Sequence, residues 1–176
     1  LIRLTVLSVC VALIGLAITW SYLGMRAIMD IGGACASGGP YVSAQPCPEG
    51  ASVLLSVSIP LLILATFAAT AVAVMLGAPT LLLPMWVLLF GALGWNFLEY
   101  AFSPDSGVVI GWLVCGVVFE LMALPALVVL VLTGGMRIPG VGAKPGSGGP
   151  WRWWLLYAVT GVVGHMVGFH AFQSWT

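Results

Sequence analysis

The sequence predicts an all-α, polytopic membrane helix bundle of five transmembrane helices, with the N-terminus inside and the C-terminus outside. Three observations carry this. First, the chain is 61% hydrophobic and 6% charged, with a mean hydropathy of +1.16, whereas a soluble domain carries about 25% charged residues. So few charges do not keep a globular surface wet. Second, five apolar runs each reach the ~20 residues that a spanning helix needs. Third, the Lys and Arg residues concentrate on one side of the alternating connections.

The spans are expected at about 4–25, 51–76, 80–102, 108–133 and 153–175. They are read as helices because backbone groups in lipid must be satisfied within the segment. Barrel strands are shorter, ~9–11 residues, and alternate polar with apolar. The first run exceeds the ~7–15 residues of a signal-peptide core, so it is read as a span that is retained. The chain starts at Leu1, and a few residues are expected to precede it.

The connections differ in kind. Residues 27–50 form a long polar loop, expected outside and closed by a disulfide between Cys35 and Cys47. Gly77-Ala78-Pro79 and Ser103-Pro104-Asp105-Ser106-Gly107 are tight turns, built from residues that stop helices. Tight turns make the second, third and fourth helices antiparallel neighbours. Residues 134–151 are rich in Gly, Pro and Ser and read as a flexible cytoplasmic linker. Arg3, Arg137, Lys144 and Arg152 then all lie inside. Arg26 dissents at the outer end of the first helix, where it is expected to snorkel or to pair with Asp30 four residues on. Trp20, Trp95 and Trp175 at outer ends, with Trp86, Trp151, Trp153 and Trp154 toward inner ends, form an aromatic belt.

The net charge is zero and no basic run exists, so no nucleic acid is expected as a partner. The expected surroundings are the lipid bilayer and other membrane protein subunits. Disulfides persist outside the cytoplasm, and one closing a loop of about 15 residues contributes roughly 3 kcal/mol in the chain-entropy model. Cys35 and Cys47 lack the Cys-x-x-Cys spacing of redox pairs, so the bridge is read as a structural staple. Cys10 and Cys115 lie within helices and read as small apolar packing groups.

Ionisable groups inside a membrane cost about 2.5–3.5 kcal/mol on insertion scales and raise a functional question by default. Glu99, Glu120, His165 and His170 are such groups. Helical rise sorts them into a central layer, Glu120 with His165, and an outer layer, Asn96 and Glu99 with His170. His165 and His170 are separated by about 140° around their helix, which excludes one haem held by both. No metal and no cofactor is expected. The plainest reading locks helix against helix through these groups; the sharper one is a polar site open to the outside, with no path inward.

The fifth helix carries Gly161, Gly164 and Gly168, and the second a row of Ala65, Ala69 and Ala73. Small faces permit close helix approach, and these two are expected to pack on each other or on a partner. Pro60, Pro84 and Pro125 are expected to kink or end turns locally.

The run Gly33-Ala34-Cys35-Ala36-Ser37-Gly38-Gly39-Pro40-Tyr41, closed by Pro46-Cys47-Pro48, resembles a loop in uncharacterised actinobacterial small multi-helix integral membrane proteins. The stretch Leu88 to Tyr100 is similar to the same group. This resemblance implies a bacterial plasma membrane and an outer Cys-containing loop after the first helix. It implies no catalytic residues.

The leading functional expectation is a non-catalytic membrane protein, an accessory or stabilising subunit of a larger complex. The alternative is a small transporter or channel using the Glu120/His165 and Glu99/His170 layers. An enzyme, whether a thiol oxidoreductase through Cys35 and Cys47 or a hydrolase through Glu99 and His170, ranks below both. The outer loop is expected to fold over the polar end, as a lid or as a docking surface.

Overall fold

The structure, a computed structural model, describes residues 1–33, 35, 46–102, 107–132 and 151–175. Among these, five α-helices account for the fold: α1 (Ile2–Asp30), α2 (Ala51–Leu76), α3 (Leu82–Ala101), α4 (Ile110–Leu132) and α5 (Trp151–Trp175). All five are long and apolar enough to cross a membrane, so the chain is a multi-pass membrane protein in a lipid environment. The end of the bundle that carries the disulfide is called the bridge end below. The cytoplasmic linker expected at 134–151 and the body of the outer loop lie, except for Trp151, Cys35 and the loop's first and last residues, outside the described residues.

The helix α1 is the hub. It packs on α2, on α5 and on α3, while among the described helices α4 packs on α3 alone. The Ala65, Ala69 and Ala73 row of α2 is buried in one cluster with Leu7, Cys10, Val11 and Ile14 of α1. A hydrogen bond between the Ser21 and Ser58 hydroxyls, 2.8 Å, stitches the same pair within the buried interior. The glycines of α5 face the other side of α1. A Cβ added at Gly164 would fall far inside the van der Waals shell of the Ala12 carbonyl, and one added at Gly15 would collide with the Gly161 carbonyl. The expected direct packing of the alanine row on the glycine row is therefore corrected. Both rows are used, but α1 stands between them. Phe172 of α5 instead clusters with Ala51 and Leu54 of α2 near the bridge end.

The end of α1 lies further along the chain than expected, for a local reason. The first helix continues past Met25 to Asp30, so residues 27–30 belong to it and not to the loop. Side chains of that last turn are engaged by α3 (below), which holds the turn in register. Pro84 sits in the first turn of α3, where a missing N–H costs nothing. Pro60 and Pro125 lie inside α2 and α4. Pro125 withholds the donor for the Leu121 carbonyl and loosens that turn; beside it, the Met122 carbonyl accepts the Trp86 indole N–H at 3.0 Å. Aromatic rings fill the rest of the α3–α4 contact, Phe119 stacking on Phe90 at 5.7 Å and on Phe97 at 5.5 Å.

Cys35 and Cys47 are joined, with sulfurs 2.08 Å apart. Their bridge shortens the path between α1 and α2. Gly50, at φ 74°, caps the start of α2 in the left-handed region that glycine enters freely.

Candidate functional site

The residues singled out as polar within the membrane divide among three places.

The first is the bridge end of α1 and α3. Arg26 forms a two-pronged ion pair with Glu99, Nη1 to Oε2 at 2.7 Å and Nη2 to Oε1 at 2.8 Å. Its Nη1 also donates to the Tyr22 hydroxyl one turn back, 3.1 Å. The guanidinium lies 5.3 Å from the centroid of the Tyr100 ring, and the Tyr100 hydroxyl donates to Asp30. Trp112 of α4 meets Tyr100 edge-on. The expected Arg26–Asp30 pair is thus corrected: Glu99 takes the arginine and Tyr100 takes Asp30. Geometry explains the choice. A guanidinium fork matches both carboxylate oxygens of Glu99 at once, and Tyr100, next to Glu99 in sequence, brings a hydroxyl to Asp30. His170 does not join this group. It is exposed on α5, a helix that makes no contact with α3, and its ring meets Phe169. Asn96, three residues before Glu99, is fully buried, and neither its amide oxygen nor its amide nitrogen has a hydrogen-bond partner among the described residues.

The second place is the middle of α4. The Glu120 carboxylate lies over Gly94 of α3, close enough that a Cβ there would sit 2.9 Å from Oε1. It makes no hydrogen bond or ion pair with a described residue. The expected Glu120/His165 layer does not form a site, because α4 and α5 do not touch. Equal depth along two helices does not bring their side chains together when two other helices, α3 and α1, lie between.

The third place is the α1–α5 seam. His165 Nδ1 lies 2.8 Å from the Thr19 hydroxyl, which is itself 2.8 Å from the Gly15 carbonyl. One turn toward the bridge end, the Trp20 indole N–H donates to the Gly168 carbonyl at 3.0 Å. The glycines explain this: they let the backbones approach until side chains of α1 reach polar atoms of α5. Beside the seam runs a cavity of about 440 Å³ between α1, α3 and α5. It ends at Thr19 and His165 near mid-span and at Trp154 and Tyr157 toward the other end. The Tyr157 hydroxyl is occupied, donating to the Pro79 carbonyl at 2.9 Å. Neither this cavity nor the recess beside Trp86 and Pro125 includes Glu120.

Sequence reasoning flagged Arg26 as an outlier but missed its partner. The signal was present, since Arg26 and Glu99 are an unmatched cation and acid at the same end of neighbouring spans. It missed Thr19, Tyr22 and Tyr100 altogether, because hydroxyls in apolar runs are common and carry no spacing signature. Among the described residues no group of three or more His, Cys, Asp and Glu is placed to hold a metal.

No family model, curated protein or solved structure matches this chain.

Proposed function

We propose that the chain is a non-catalytic accessory or stabilising subunit of a larger complex in a bacterial plasma membrane. The observation that carries this reading is Glu120. It stands at the middle of a membrane helix, half-buried, without a hydrogen-bonding partner in the described chain. It sits on α4, which packs on α3 alone and turns Val117, Leu121 and Leu124 outward. A carboxyl in hydrocarbon demands a partner or a proton, and such residues usually face protein or a polar cavity. A polar or cationic group from a neighbouring subunit satisfies both the charge and the free face of α4. The small-residue faces do not support the reading, since both are consumed inside the bundle. The bacterial location rests on the loop resemblance alone.

A photoreactive residue at Val117 or Leu124 tests this in native membranes. The reading expects a discrete adduct with one other membrane protein, none from Val163 on the outer face of α5, and a several-fold loss on Glu120→Leu. A monodisperse lone chain without adducts overturns it, as does an adduct of exactly two copies of this chain.

The transporter alternative receives no comparable support. Its four ionisable groups are distributed over helices that do not bring them together, and Glu99 is neutralised by Arg26.

A further inference from the structure

We infer that the cavity between α1, α3 and α5 is a binding site for an apolar molecule bearing one hydroxyl group, which it donates to His165 Nε2. The inference is independent of whatever meets Glu120.

The hydrogen-bond chain at the cavity's mid-span end fixes the polarity of that site. A hydroxyl has one proton. The Thr19 hydroxyl spends it on the Gly15 carbonyl, which can only accept. Thr19 therefore accepts from His165, and Nδ1 carries the ring proton. In the neutral ring, Nε2 is then a lone-pair acceptor on the far side of the imidazole from Thr19. Nε2 makes no hydrogen bond to a described residue, and His165, exposed on α5 beyond its Thr19 contact, is one of the residues that line the cavity. An acceptor without a donor in an apolar cleft is costly, and the group that relieves it is an O–H or N–H on a membrane-dissolved ligand.

The remaining walls say what the rest of that ligand is. Val11, Ile14, Ile18, Leu81, Met85 and Leu88 make them apolar, and Tyr157 offers no donor because Pro79 already accepts its proton. One acceptor in an otherwise apolar space selects a molecule with one donor and an apolar body: a long-chain or isoprenoid alcohol or a simple phenol. A volume of about 440 Å³ falls within the ~300–1,000 Å³ of small-molecule sites. Access is lateral. The helices α3 and α5 make no contact with each other, and Leu88 and Val162, one on each side of the gap, are both exposed. Gly161 keeps the floor open, since a Cβ there would project into empty space.

The test uses the full chain in lipid nanodiscs with two photoreactive probes, a diazirine-bearing decanol and the matching diazirine-bearing decane, with labelled peptides mapped by mass spectrometry. The alcohol is expected to label α1, α3 and α5 around the cleft about fivefold more than the alkane, the gain of one net hydrogen bond. His165→Phe abolishes that preference. Ala158→Trp, which fills the cleft from its rim and leaves the Thr19–His165 bond in place, removes labelling by both probes. Equal labelling by alcohol and alkane overturns the inference by making the cleft a lipid-facing groove only. Absence of label from the cleft, or an alcohol preference that survives His165→Phe, overturns it as well.

Discussion

The α1–α5 seam and the α3–α4 contact are both close helix pairs, yet they are built on opposite plans. In the first, backbone meets backbone: Gly164 lies on the Ala12 carbonyl and Gly15 on the Gly161 carbonyl. In the second, glycines receive side chains. Gly94 accommodates the Glu120 carboxylate, Gly116 accommodates the Leu98 side chain and, 3.0 Å from where a Cβ would sit, its backbone nitrogen, and stacked phenylalanines fill the remaining space. A side chain can rotate away from an intruding methyl, but a carbonyl in a helix cannot. The same residue type is therefore rigidly required in one place and adjustable in the other. Lipid is as apolar as a leucine core, so helices in a membrane associate through fit and polar contacts and not through burial from water. Fit alone explains why one methyl group separates the two plans.

Five substitutions probe the contrast. The largest loss is expected from Gly164→Ala, which forces α1 and α5 apart and strips Thr19–His165 and Trp20–Gly168 of their reach. It should cost about 3 kcal/mol or more, at the upper end of overpacking effects, read as a fall in the detergent unfolding midpoint. Gly161→Ala on the same face should be neutral or slightly stabilising, because its methyl enters open space and alanine is the better helix former by about 1 kcal/mol. Equal effects at these two positions would remove the backbone-contact account of the seam. Next, Glu99→Gln should cost about 1 kcal/mol, in the range of exposed ion pairs, and the loss should shrink in high salt. The pair is one-third to one-half exposed, at 34% and 44%, which keeps the effect small. Gly94→Ala should cost less than 1 kcal/mol if the Glu120 carboxylate swings aside, measured by the same midpoint. Asn96→Ala carries the opposite sign. Its amide is buried without partners among the described residues, so its removal should be neutral or stabilising by up to about 1 kcal/mol.

The spans were legible because hydrocarbon imposes length and composition on any helix that crosses it. The disulfide was legible because Cys35 and Cys47 lie in one polar loop. Which face of each helix meets which neighbour was not. A soluble helix announces its buried side by polarity, whereas exposed Val163 and buried Val11 look alike in sequence. The small rows gave the right faces of α2 and α5 and the wrong partner, since nothing in Ala65–Ala69–Ala73 or Gly164–Gly168 encodes that α1 lies between them. The depth argument for Glu120 and His165 failed for a related reason: rise along an axis is a sequence property, and azimuth around the bundle is not. The choice of Glu99 over Asp30 by Arg26 turned on tertiary reach, which defeats the local i,i+4 rule.

The hub position of α1 also has a consequence for how the chain is made. Of the five described helices α1 is made before the others, yet the hydrogen bond between Thr19 and His165 spans 146 positions, and α5 is made after the other four. Until α5 is made, the Gly15 face of α1 lacks the α5 backbone that it meets in the bundle. The entropy of closing so long a loop grows only as the logarithm of its length, so the delay is one of timing and not of free energy. A chain arrested before α5 would display that glycine face to lipid, which makes the arrival of α5 the step that commits these five helices to their packing.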